Sequence, residues 1–136
     1  PAAAMELEDG RIITGKTSDL LGASSALLLN VLKELAGIDH QKHVISPDAI
    51  HPIQELKTDY LGSKNPRLHM DETMIALSIS AATNPEAHLA LEQFPKLKGC
   101  QAHTSVMLSP VDIKKLKQLG IQFTMEAKYE NNKNYH

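Results

Sequence analysis

The chain has 136 residues, 42% of them hydrophobic, and a formal net charge of −2. That is one domain's length with material for a core. The nearly balanced charge and the short lysine clusters, Lys96 with Lys98 and Lys114 with Lys115 and Lys117, exclude the basic stripe of a nucleic-acid binder.

Two extended runs open the chain, 2–8 and 11–15, with Asp9-Gly10 between them, the strongest short-range signal of a β-hairpin. Thr17-Ser18-Asp19 then reads as an N-cap with early negative charge for a helix over 20–35 that Gly37 ends. Leu20 to Leu35 is apolar nearly all round, so this helix is expected at the centre. His43-Val44-Ile45 reads as a short buried strand, and Ser46-Pro47-Asp48 starts a helix that runs to Leu61 and stops at Gly62. Asp71 is a candidate cap for an apolar helix over 72–82. Asn84-Pro85-Glu86 starts the next helix, through about Phe94, and Ser109-Pro110 starts one that ends at Gly120. The last strands are expected over 101–108 and 121–127, and the tail beyond 127 reads as a loosely held C-terminus.

The order β-β-α-β-α-α-α-β-α-β predicts a single α/β domain over 1–136. The expected form is a three-layer α/β/α sandwich, its mixed, largely parallel sheet carrying an N-terminal β-hairpin. With no Trp, two Phe and three Tyr, its core has to be aliphatic. No apolar run reaches the roughly 18 residues of a membrane span, which argues against a membrane partner. Cys100, the lone cysteine, cannot make an internal disulfide and fits a reducing, cytoplasmic setting.

Gly10 to Thr17 formally fits the phosphate-loop pattern G-x-x-x-x-G-K-[ST]. The hairpin reading opposes it, because Ile12, Ile13 and Thr14 are β-branched and prefer extended backbone to a curled cradle. A softer reading remains, in which Lys16, Thr17 and Ser18 meet a small anion at a helix start. A second concentration of polar groups spans 62–72. There Lys64, Asn65 and Arg67 suit a phosphate or carboxylate, and His69 with Asp71 or Glu72 suits acid–base work. His103, mid-strand before Thr104 and Ser105, is a candidate at a strand's end. The seven histidines have no metal-ligand spacing, no Cys pair exists, and nothing in the sequence calls for a cofactor.

The runs Gly15-Lys16-Thr17-Ser18-Asp19-Leu20-Leu21-Gly22-Ala23-Ser24-Ser25-Ala26, Leu61-Gly62-Ser63-Lys64-Asn65-Pro66-Arg67-Leu68-His69 and Lys96-Leu97-Lys98-Gly99-Cys100 carry a resemblance. They are similar to the C-terminal domain of a bacterial family of long, uncharacterised proteins, over essentially the whole chain. The resemblance implies no reaction. It implies N-terminal domains elsewhere in the same full-length chain, which agrees with an opening Pro1-Ala2-Ala3-Ala4 that lacks a starting Met. The element order also resembles the cytidine-deaminase superfold. His69-Met70-Asp71 has an acid where that family's zinc motif has Glu, but the Pro-Cys-x-x-Cys half is missing, so its zinc chemistry does not carry over.

Three functional expectations follow. The first is an accessory domain that binds a small anionic ligand and docks on N-terminal domains. The second is part of a hydrolase or group-transfer site built on His69 with Asp71 or Glu72. The third is a structural domain that forms a homo-oligomer.

Overall fold

A computed structural model describes residues 1–127, and the tail read as a loosely held C-terminus lies outside the described residues. The elements in order are β1 (Ala2–Glu6), β2 (Ile12–Lys16), α1 (Ala23–Ala36), α2 (Pro47–Glu55), α3 (Met70–Ala81), α4 (Pro85–Leu91), β3 (Gln101–Thr104), α5 (Pro110–Gln118) and β4 (Gln122–Met125). A π-helical turn, Leu56–Tyr60, follows α2, and a short 3-10 helix, Phe94–Leu97, follows α4.

The hairpin forms as expected. Ala4 faces Thr14 across it, Asp9 accepts the Arg11 N–H at 3.1 Å, and Gly10 takes the positive φ of 90° that the tight turn requires. The sheet order is β2-β1-β3-β4. Strands β2, β3 and β4 share a direction and β1 is reversed between β2 and β3, so two of the three pairings are antiparallel and only β3–β4 is parallel. The α/β class and the mixed sheet stand, but the largely parallel pairing does not.

The helices cover one face of this sheet. Ala3, Met5, Ile13, Gly15, Ala102 and Thr104 are buried, while Glu6, Ile12, Thr14, Lys16, Gln101, His103, Gln122 and Thr124, which alternate with them, are exposed. Period-2 burial of this kind belongs to a sheet with one solvated side. Among the described residues, the second helical layer of the expected three-layer sandwich is therefore not present.

Helix α1 lies directly on β1 and β2, and Gly15 is the reason it can. A Cβ built there would fall 2.6 Å from the Leu27 Cα and 2.9 Å from the Ala26 carbonyl carbon. The glycine that completes the formal phosphate-loop pattern is thus a seat for α1. Leu28, Val31 and Leu32 then enter the core with Met5, Leu68, Met70, Leu77 and Leu97.

Four local expectations are corrected. Val44 and Ile45 are buried but unpaired, held in a bend beside a turn that Lys33 pins through His40 O (2.8 Å) and Lys42 O (3.1 Å). Two β-branched residues signalled burial there, not strand pairing. The expected helix over 20–35 begins at Ala23, because Ser18 Oγ accepts from Leu20 and Leu21 N–H in a local turn, and Leu21 bridges to Leu68. Helix α3 begins at Met70 with His69 as N-cap, so Asp71 sits in its first turn instead of capping it. The strand expected over 101–108 ends at Thr104, and the next five residues form a loop. Among the described residues, no helix is long and apolar enough to cross a membrane.

Candidate functional site

The loop after β3 forms one wall of a cavity of about 330 Å³ at the strand's C-terminal end. The starts of three helices line much of the rest: Gly22, Ala23 and Ser24 of α1, His69 before α3, and Ser109, Pro110 and Asp112 of α5. A helix start carries unpaired N–H groups and a partial positive charge, so each one needs an acceptor.

Two of these starts are satisfied from within the protein. Glu72 Oε1 accepts the His69 N–H at 2.9 Å, and Asp112 Oδ1 accepts the Met70 N–H at 3.1 Å, which completes the start of α3. Ser109 Oγ accepts the Asp112 N–H at 3.2 Å at the start of α5. Helix α1 differs. Its N-cap is Gly22, which has no side chain to offer, and the first intrahelical bond is Ala26 N–H to Gly22 O at 2.9 Å. The N–H groups of Ala23, Ser24 and Ser25 therefore precede the helical ladder.

Two serines enter the chain here, and only one is satisfied. Ser25 Oγ donates to Leu68 O at 3.0 Å. Ser24 is 7% exposed and lines the cavity, and its Oγ has no hydrogen-bond partner. Leaving a buried hydroxyl unpaired costs about 1–3 kcal/mol.

Arg67 stands at the same cavity. Its Nε donates to Ser18 O at 2.6 Å, and its backbone N–H is held by Asn65 Oδ1 at 3.0 Å, which fixes the guanidinium beside the start of α1. Asp112 is 7% exposed. Burial pushes its carboxyl above the ordinary aspartate range, and the Met70 N–H opposes that rise.

Of the residues singled out from sequence, the cavity brings together Asn65, Arg67 and His69. Lys16 is exposed at the end of β2, the Thr17 N–H bonds Pro1 O, Ser18 serves its own turn, and Lys64 is exposed. Glu72, paired to Lys57 Nζ at 2.8 Å, and Asp71 do not line the cavity. His103 is on the open face of the sheet, bonded to Thr124 Oγ1 at 2.6 Å and Glu126 Oε1 at 3.1 Å. Gly22, Ser24, Thr104, Ser109 and Asp112 were not foreseen as site residues. Gly22-Ala23-Ser24-Ser25 did carry a signal, small residues beside a buried helix start, but it reads as close packing. Among the described residues, no three His, Cys, Asp or Glu side chains stand together as metal ligands.

Fold and site together define an α/β domain with a small polar-ended cavity where helix starts converge. The chain belongs to the family described as "Domain of unknown function DUF1846, C-terminal", whose model matches residues 1–135. It is 56% identical over 135 residues to the UPF0371 protein DIP2346 of Corynebacterium diphtheriae, which covers 99% of this chain and 27% of that protein. It is 46% identical over 135 residues to the UPF0371 protein SUB1165 of Streptococcus uberis, with the same coverage of both chains. The chain thus spans about a quarter of the length of the curated relatives it matches. The resemblance to the C-terminal domain of long uncharacterised proteins holds, and no reaction comes with it.

Proposed function

We propose that this domain binds a small phosphate-bearing anion at the start of α1 and docks through the outer side of α3 on the remainder of a longer chain. One observation carries the first half. Ser24 lines the cavity at the helix start that no side chain caps, and its Oγ is buried and unpartnered. An oxyanion there accepts from that hydroxyl and from the first-turn N–H groups, in the partial positive field of the helix, with Arg67 alongside. Titration of phosphate and of phosphate monoesters, followed by calorimetry and thermal shift, tests this in the full-length protein and in the isolated chain. Ser24→Ala should weaken binding about tenfold or more, the value of a hydrogen bond to a charged group. The proposal fails if no phosphate compound binds either sample, or if Ser24→Ala binds as the parent does.

The docking half rests on the outer side of α3, where large apolar residues stand exposed beside Asp71 and Ser78. Its Ile75 and Ile79, one turn apart, are 60% and 69% exposed. Two large apolar side chains left open together on one helix face mark an interaction surface, and the relatives are nearly four times this chain's length, which leaves chain that can cover it. Ile79→Lys should change stability by under about 0.5 kcal/mol in the isolated chain and by about 2 kcal/mol or more in the full-length protein. Equal small effects in both would remove this half. A concentration-dependent loss of self-association in the isolated chain would assign the face to a second copy instead.

Acid–base chemistry by His69 with Asp71 or Glu72 has less behind it. His69 lines the cavity, but Glu72 is bound to Lys57 and to the His69 N–H.

A further inference from the structure

The two polar ends of the cavity are chemically unlike. At the α1 end stand donors: the Ser24 hydroxyl, the first-turn N–H groups and Arg67. At the α5 end stands Asp112, the one carboxylate among the described lining residues. Its Oδ1 is occupied by the Met70 N–H, and its Oδ2 has no protein donor among the described residues. Beside it, Ser109 Oγ accepts the Asp112 N–H, which leaves the Ser109 hydroxyl proton without an acceptor among the described residues. An acceptor and a donor side by side are what a ligand hydroxyl requires, since it gives one hydrogen bond and takes another.

Both ends are tied to one short stretch of backbone. The α1 start is tied to Leu68 through Gly22 N–H to Leu68 O at 3.3 Å, and the α5 start is tied to Met70. His69 between them is extended, with φ −80° and ψ 173°. Two extended steps advance the backbone by roughly 6–7 Å, so the two ends stand close enough for one short molecule to meet both. Leu68, Val106, Met107 and Leu108 also line the cavity and suit a carbon chain.

We infer that the ligand is a phosphate monoester of a short polyol, with its phosphate at Ser24 and Arg67 and a free hydroxyl held by Asp112 and Ser109. This rests on the anion site proposed above. A hydroxyl fits better than an ammonium group. Three helix starts repel a cation, and an ammonium has three hydrogens to place where the α5 end offers one carboxylate oxygen.

Calorimetric titration of the full-length protein with inorganic phosphate, methyl phosphate, glycerol 3-phosphate and ethanolamine phosphate tests it. Glycerol 3-phosphate should bind about tenfold more tightly than methyl phosphate, because the site's hydroxyl-binding pair stays unpaired with the latter. Asp112→Asn keeps an oxygen for the Met70 N–H and replaces the acceptor facing the ligand with a donor. It should narrow that preference to about threefold or less without weakening methyl phosphate. Equal affinity for methyl phosphate and glycerol 3-phosphate overturns the inference and leaves the anion site standing. Tightest binding of ethanolamine phosphate overturns the hydroxyl assignment. No binding of any of the four overturns both. The parent protein's ligand series decides the matter even if the variant fails to fold.

Discussion

Gly15→Ala measures how closely α1 is seated on the sheet. The new Cβ would lie 2.6 Å from the Leu27 Cα and 2.9 Å from the Ala26 carbonyl carbon, both backbone atoms that cannot swing aside. Carbon atoms pack at about 3.5–4.0 Å, so α1 has to lift by about 1 Å, and a gap of that size forfeits up to half of each contact's attraction. Overpacking of this kind costs about 1–3 kcal/mol, with values at the upper end when backbone must move. Alanine recovers about 0.4–1 kcal/mol by restricting the unfolded chain, and Gly15 has no positive φ to add strain. The net expectation is a loss of about 2 kcal/mol, near 8 °C in melting temperature for a domain of this length. Urea unfolding followed by circular dichroism measures it, with Gly10→Ala as the control. Gly10 has a φ of 90° and nothing within 4 Å, so that change meets backbone strain alone, about 1 kcal/mol. A Gly15→Ala protein as stable as the parent, or more stable than Gly10→Ala, would refute the close seating. It would also reopen the loop reading of Gly10 to Thr17.

Ser24→Ala should leave the unliganded protein as stable or about 1 kcal/mol more stable in urea, because it removes an unpaired buried hydroxyl, while ligand binding weakens. Lys57→Met takes the cation from Glu72 and the donor from Arg67 O (2.6 Å), and should cost about 2 kcal/mol, less than a fully buried pair because Glu72 keeps some solvent. In a cycle with Glu72→Gln the two losses should fall short of additive. Asp112 supplies a pH test. Its folded carboxyl is held above the ordinary 3.8, so the folded state binds more protons than the unfolded state does just above that pH. Stability relative to Asp112→Asn should therefore fall as pH rises from about 4 toward the raised folded value and level off beyond it. Urea midpoints for the two proteins that run parallel across that range would contradict the raised carboxyl.

What could be read from the sequence was whatever neighbours in the chain decide. Asp9-Gly10 specifies its own turn, and the Asn84 and Ser109 side chains cap the helices that follow them, as their Pro-bearing starts indicated. Ser18 shows the limit of that grammar. It does accept N–H groups two and three residues on, but they belong to a turn, since the Leu20–Gly22 stretch is drawn out by Leu68, 47 residues from Leu21 in sequence. The open sheet face was legible in the alternation of Ile12, Thr14 and Lys16 with Ile13 and Gly15, and the layer expectation overlooked it. The site was legible only where it falls on a polar loop, at Asn65, Arg67 and His69. Its other half depends on Asp112 reaching Met70 and Ser25 reaching Leu68, contacts 42 and 43 residues apart that no local pattern announces.

The cavity's character follows from how its three helix starts are completed. Helix α3 draws an acceptor from its own Glu72 and another from Asp112 of α5, and α5 is capped by Ser109. Each of those acceptors lies where a ligand oxyanion would otherwise sit, so neither start is open to one. Helix α1 begins with Gly22, and the Ser25 hydroxyl in its first turn donates to Leu68 O. That leaves donors without acceptors at one end of the cavity and, at Asp112, an acceptor that has spent only one of its two oxygens at the other. The protein's own hydrogen bonding thus leaves complementary gaps at the two ends, and the ligand proposed above, with an anion at one end and a hydroxyl at the other, would fill both.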